Sequence, residues 1–296
     1  MKFAKVIRMS HAEFAINTGE GNSPKRFPDG RLYGSSQSTK RQIMEASGIK
    51  KLTRSSKKVE EEYKCKLNLK NEKTEKDKSH TIVWDNTLEN EFNKLKNEFE
   101  SDKLTQEEYD EKCTDVILKG GKSSKIYGHF NTKDGGSSRI DGAYGTTGHR
   151  GMHNDKITID KYTSSTEDNN EEATFIGDKE IADEEYYYSI HSIDFTKYEE
   201  VEDELKSILI TCATKELHPR ANKNGGNILS CEWSTIIYGD DAGFDIPAIG
   251  KEYIDHPEVL RNVLSQRNKD KEIILCAWKN GDMEPEEDTL KVKLDW

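Results

Sequence analysis

Apolar residues are sparse along this chain, and their spacing changes several times. Residues 2–9 mix apolar and basic positions and predict a strand. A polar loop follows, Asn17 to Arg26, with Gly19 and Gly21 in it. Ser35 or Ser36 then offers an N-cap and Gly48 a stop, so a helix of about three turns fits between them. From Lys50 to about Lys78 the chain is basic and poor in hydrophobics, which predicts a mobile segment. Leu88, Phe92, Leu95 and Phe99 recur at helical spacing, and Thr105 with Glu108 forms a capping box for a further short helix. Residues 50–135 are therefore expected to be a helical insertion.

The second half is richer in strand signals. Residues 163–184 are acidic around a small apolar island, Ala173 to Gly177, and predict a projecting hairpin. Tyr186 to Phe195 is β-rich, and Val201, Leu205, Ile208, Leu209 and Cys212 mark one face of a helix over 199–215. Strands are expected at 228–238, 272–279 and 290–296. Strand, helix, strand, strand, helix, strand is the order of a ferredoxin-like or RRM-type unit, here with two large insertions. The expected fold class is α+β.

Composition sharpens this picture. Hydrophobic residues make up 32% of the 296, charged residues 34%, and mean hydropathy is -0.93. Long exposed excursions from a modest core follow. No apolar run approaches the ~18 residues of a membrane span, and the start of the chain lacks the h-region of a signal peptide, so a cytoplasmic protein without a membrane partner is expected. The five cysteines have no CxxC spacing and are expected to be free thiols. Net charge is -11, yet residues 1–58 hold 13 Lys and Arg against 4 Asp and Glu, leaving 32 against 52 for the remainder. A basic segment in an acidic chain can neutralise phosphates locally, because screening confines charge effects to about 10 Å.

The chemistry concentrates in residues 17–41. A Ser-capped helix start presents unpaired N–H groups and the positive end of the helix dipole, which together bind phosphate. Gln37, Lys40 and Arg41 stand at i, i+3 and i+4 and share one side of the first turn. Lys25, Arg26 and Arg31 precede it in the loop. These make a cradle for a sugar-phosphate backbone with no need to read bases. An ordinary capped surface helix fits the same residues.

The run Ile16-Asn17-Thr18, then Ser23-Pro24-Lys25, then Ser35-Ser36-Gln37-Ser38-Thr39-Lys40-Arg41 resembles the N-terminal signature of the CasC family, the repeated backbone subunit of Cascade-type CRISPR complexes. Ile140 to Ala143 through Gly148-His149-Arg150, then Tyr162-Thr163 to Asp168, resembles that family's Asp-Gly-Ala…His and following segments. Thr174 to Gly177 with Tyr186 to Ile190 parallels its thumb hairpin and aromatic strand, and Thr214 to Pro219 with a basic loop echoes the region after its last core helix. Thr18 replaces the usual arginine, the chain is shorter than most members, and nothing after about 240 has a counterpart.

The resemblance implies a hand-like protomer. The palm comprises 1–49, 136–162 and 185–296, the fingers 50–135, and the thumb 163–184. It also implies a non-catalytic subunit that polymerises head-to-tail along crRNA, contacts other Cascade subunits, and meets target nucleic acid through the guide. The RNA-binding residues would be Asn17, Lys25, Arg26, Arg31, Ser35, Ser36, Gln37, Lys40, Arg41, His149, Arg150 and Lys223, with His149 read equally as a core residue. Phe175 and Ile176 would form an apolar wedge in the thumb, or simply pack the hairpin on the next subunit.

Enzymatic readings are weaker. No GxSxG, HExxH or GxxxxGK[ST] motif occurs. His129, His149 and His153 with Asp134, Asp141 and Asp155 fit no recognised ligand spacing, so neither a metal nor a cofactor is expected. Type III backbone subunits cleave target RNA with an aspartate before the Ser-Ser helix; here Asp29 comes first, inside a Pro-Asp-Gly turn whose commonest role is structural. A stand-alone RRM-like scaffold is the other alternative.

Overall fold

The computed structural model describes residues 1–12, 16, 25–49, 52–69, 81–130, 139–152, 157–163, 175–182, 185–219, 228–279, 282–294 and 296. The chain divides into two compact units. The first joins Met1–Ser47, Thr146–Ile193 and Ser207–Trp296; the second joins Gly48–Gly145 and Asp194–Lys206.

The first unit is built on a sheet. Its strands along one path are β1 (Phe3–Ala12), β2 (Tyr33–Gly34), β3 (His149–Gly151), β4 (Glu185–Asp194), β5 (Ser230–Gly239), β6 (Glu272–Lys279) and β7 (Asp282–Glu284), and a short eighth strand, Tyr144–Thr146, pairs with β4 off that path. The helices are α1 (Ser36–Ala46), α2 (Glu202–Thr214), which begins in the other unit, α3 (Pro257–Arg267) and α4 (Glu287–Lys293). Across the sheet the order is β7-β6-β5-β1-β4-β3-β2. Taking β1, β3, β4 and β5 as four successive core strands, the fourth lies beside the first, the first beside the third, and the third beside the second. With α1 after the first strand and α2 after the third, this is the ferredoxin-like arrangement expected of the palm.

β1 is the central strand because it can be buried on both faces. Ala4, Val6, Arg8 and Ser10 point to one side and Ile7 and Met9 to the other, all essentially inaccessible. Met9 pairs with Trp233 of β5, and the register then shifts at Ser10. On that second face Ile7, Met9 and Trp233 cluster with Tyr253, Leu260 and Leu264. Leu260 and Leu264 stand one turn apart on α3, and fully burying each is worth roughly 1.5–3 kcal/mol. The segment after 240 thus forms a lid over the sheet, with Ile246, Ile249 and Ile254 packed at its margin.

Arg8 ties the other face together. Its side chain has no exposed surface, and among the described residues it bonds to backbone carbonyls and a hydroxyl, with no carboxylate partner. Nη1 donates to the carbonyls of Cys212 at 3.2 Å and Lys215 at 2.6 Å, Nη2 to Leu229 at 3.3 Å, and Nε to Ser10 Oγ at 2.7 Å. The carbonyls at the end of α2 lack helical partners and carry the negative end of its dipole, so a buried cation is solvated by backbone.

Two expectations are corrected here. Residues 290–296 are not a strand: α4 runs over Glu287–Lys293, with Leu290 and Leu294 buried and Val292 73% exposed. The alternation of Leu290, Val292 and Leu294 mimics period two, but the i, i+4 pair is what packs. Acids in the first turn and lysines in the last complement the helix dipole. Nor is 50–78 a mobile stretch throughout, since it contains a strand at Leu52–Ser55 and a helix at Ser56–Tyr63. Val59 and Tyr63, few but correctly spaced, anchor that helix in a core.

That core belongs to the second unit, which is mainly helical. Leu52–Ser55 pairs with Thr81–Trp84, and helices follow at Asn86–Glu100, Gln106–Lys119 and Lys122–Tyr127. Val59, Tyr63, Trp84, Leu88, Phe92, Tyr109 and Cys113 fill its centre. The Thr105–Glu108 capping box forms as expected. In the first unit a hairpin pairs Ile157–Thr163 with Phe175–Ala182. All five cysteines are free and buried, and no helix among the described residues is long and apolar enough to cross a membrane.

Replacing Arg8 with Met leaves three buried carbonyls without their donor. The unfolding free energy is expected to fall by about 3–5 kcal/mol. Urea titration measures this, and a loss under about 1 kcal/mol would contradict the role given to Arg8.

Candidate nucleic-acid interface

The start of α1 is built from the sheet edge. Ser35 holds an extended backbone (ψ 153) and its Oγ accepts from the Ser38 N–H at 3.3 Å. Thr39, Gln42 and Ile43 bury the underside of the helix. No acidic residue lies in its first turn, so side-chain charge there leaves the positive end of the dipole uncompensated. Gln37 and Arg41 are exposed and Lys40 is half-buried, while Arg41 pairs with Glu45 at 3.1 Å. An exposed i, i+4 pair of this kind contributes little and exchanges readily for phosphate.

β2 and β3 fix where that helix begins. Gly34 pairs with His149 and Tyr33 with Arg150. Gly148 has φ +76, and a Cβ there would lie 2.3 Å from the Gly34 carbonyl and 2.9 Å from the Ser36 nitrogen. Only glycine lets the chain pass this close to the first turn.

His149 lies behind this junction. It is wholly buried, and among the described residues neither ring nitrogen has a hydrogen-bond partner. Burial, then His191, then Arg8 hold its imidazole neutral, well below its ordinary range. His191, whose Nε2 is 2.9 Å from Ser189 Oγ, is pushed down to about 3 by burial and then by Arg8. A side chain with no exposed surface offers RNA no contact from this position.

The loop residues form a tight turn. Arg26 bridges to Leu32, and its Nη1 donates to the Gly30 carbonyl. Phe27 N–H donates to the Arg31 carbonyl at 2.8 Å, and the Lys25 carbonyl accepts from Tyr33 at 3.0 Å. Asp29 is occupied within the turn: it accepts from Arg31 Nε at 2.8 Å and from the Arg31 N–H at 3.2 Å, and these bonds hold its carboxyl below the usual value. The Arg31 and Arg150 guanidiniums each approach the Phe27 ring at 5.8 Å, and Phe27 meets Tyr33 at 4.8 Å.

The structure therefore brings Ser35, Ser36 and Gln37 to one rim, and gathers Arg31 and Arg150 around Phe27. Lys25 and Arg26 are half-buried in the turn, with Arg26 engaged at Gly30. Asn17 and Lys223 lie outside the described residues. Phe175 and Ile176 stand at the start of a hairpin strand; Phe175 pairs with Thr163 and Gly177 with Tyr162, so Ile176 is the extra residue of a bulge. Sequence reasoning missed Phe27, Tyr33 and Tyr188. The signal available was the Tyr186-Tyr187-Tyr188 run, whose first and third members must share a face opposite the second. Among the described residues no group of three or more His, Cys, Asp or Glu could hold a metal ion.

The fold is that of an RRM-like α+β protein with a Ser-capped helix start, free of acidic residues in its first turn, at its sheet edge. Solved structures share this fold. One, a chain of "CRISPR RNA-guided surveillance complex, pre-nicking", superposes with a TM-score of 0.71 at 13% identity over 99% of this chain and 99% of that one. A chain of another "CRISPR RNA-guided surveillance complex" does so with a TM-score of 0.53 at 12% identity, over 97% and 92%. By sequence, no known protein family and no curated protein matches.

Two expectations follow. Gly148→Ala forces a side chain against backbone in a left-handed conformation and should cost about 1–3 kcal/mol, read from the thermal midpoint. Acidification should also weaken the fold. Above the ordinary imidazole value of 6.5 both histidines are neutral folded or unfolded; below it the unfolded chain takes protons that buried His149 and His191 refuse, so stability falls as pH drops from 6.5 towards 3. The midpoint should decline over that window, and His149→Gln with His191→Gln should flatten the decline.

Proposed function

We propose that this chain is a non-catalytic backbone subunit of a Cascade-type CRISPR surveillance complex, holding guide RNA by its sugar-phosphate backbone. The observation that carries the reading is the capped start of α1, which has no acid in its first turn and presents Gln37, Lys40 and Arg41 at the sheet edge. Such a start favours phosphate oxygens of any sequence. Likeness in fold to chains of surveillance complexes along nearly the whole chain supports the same reading. The guide supplies sequence recognition by base pairing, while the protein grips backbone. Copies stack head-to-tail along the RNA in an open heterologous assembly, and the hairpin closed by Phe175 and Ile176 reaches a neighbour's RNA.

Target cleavage through Asp29 is the weaker reading, because its carboxylate closes the local turn by accepting the Arg31 backbone N–H. Complementary RNA incubated with the assembled complex and Mg²⁺ is expected to stay intact.

Lys40→Glu with Arg41→Glu tests the proposal directly. RNA affinity should fall at least about tenfold, and the slope of log affinity against log salt should become shallower by about 1.4, at ~0.7 per lost phosphate contact on a single strand. Unaltered affinity, or co-purifying RNA of random rather than uniform repeat-derived sequence, would refute it.

A further inference from the structure

The face of the sheet near its β2 edge carries a row of rings that the phosphate cradle does not use, with Arg31 and Arg150 set among them. Tyr33, Arg150 and Tyr188 are direct cross-strand partners on β2, β3 and β4, so their side chains emerge on the same face. Tyr186 follows two residues before Tyr188 on that face, and its ring meets His11 of β1 at 4.9 Å. At the other end Tyr33 meets Phe27, over which Arg31 and Arg150 lie. The row thus spans four neighbouring strands and the turn before β2.

These side chains are not consumed by the core. Tyr186 and Tyr188 pack one side against the Ile7–Trp233 cluster yet remain half-exposed, as do His11, Phe27 and Tyr33. Arg150 is exposed, and 41% of the Arg31 side chain is accessible. The contacts of α3 with the sheet fall on β5 and β6. Asp29 pairs with Arg31 in an exposed bridge worth little against a phosphate.

We infer that this row is a second nucleic-acid site, a stacking platform for unpaired bases of single-stranded RNA. Flat rings in series accept any base, and interleaved arginines supply cation–π contacts and neutralise the passing phosphates. Continuity fixes the occupant: Tyr33 is two residues from the Ser35 cap, so a strand whose phosphate rests on α1 can lay its adjoining base on Tyr33. A protein partner would not need rings and arginines alternating along one line, beside a helix start that favours anions. The inference deepens the proposed function and rests on it for the identity of the strand.

The experiment compares a short oligoadenosine with an abasic ribose-phosphate strand of equal length, both bound to the full-length purified protein. Wild type should prefer the base-bearing strand about 10- to 100-fold, the range of one to two stacked bases. Tyr33→Leu with Tyr188→Leu should abolish the preference without altering affinity for the abasic strand, whereas Tyr33→Phe with Tyr188→Phe should keep it. Arg150→Gln, at an exposed position, should lower binding of the base-bearing strand without a change in melting midpoint. Photocrosslinking of 4-thiouridine RNA to wild type should label Tyr33 or Tyr188, a readout needing no variant. No base preference in wild type, a preference that survives the leucine changes, or crosslinks confined elsewhere would overturn the platform. If the charge-reversed Lys40 and Arg41 variant then still loses both strands, the cradle stands and only the platform falls; if wild type binds neither strand, both fall together.

Discussion

A buried guanidinium organises the first unit. Arg8 lies in the middle of the central strand, and its donors are claimed by the end of α2 and by the strand entering β5. Both the second core helix and the fourth core strand are therefore located relative to β1 by hydrogen bonds that no apolar side chain could supply. A cation without a carboxylate tolerates this position because the helix end carries a partial negative charge. The same cation helps hold His149 and His191 neutral, so two imidazoles behind the α1 junction are kept uncharged.

The order of elements was largely legible. Strand and helix periodicities gave β1, α1, β4, α2, β5 and β6, and the capping residues Ser35 and Thr105 were found where they act. What failed did so for local reasons. Leu290, Val292 and Leu294 satisfy a strand pattern and a helix pattern alike, and only packing chooses between i, i+2 and i, i+4. Val59 and Tyr63 are two anchors in a stretch otherwise read as solvated, too few to stand out without the ribbon they pack beside.

The rim was partly legible. Ser35, Ser36 and Gln37 share the helix start because capping is a local event. Arg150 lies beside Tyr33 only through strand pairing across more than a hundred residues, which no spacing rule reveals. His149 looked like a candidate contact by its place in a Gly-His-Arg run, yet the register that brings Gly34 to it also encloses it. Phe27 drew no notice because a lone aromatic in a turn gains meaning only when two arginines converge on it.

The sheet ends abruptly on both sides. β2 has two residues and β7 three, the latter followed at once by Pro285. Unpaired edges of ordinary length invite another chain to zip on by backbone hydrogen bonding, and such short ones deny it the room. Among the described residues β7 reaches only Ala277–Lys279 of β6, so this stub caps less than half of that strand. Blunting of this kind lowers the chance that crowded copies fuse edge to edge into one continuous ribbon.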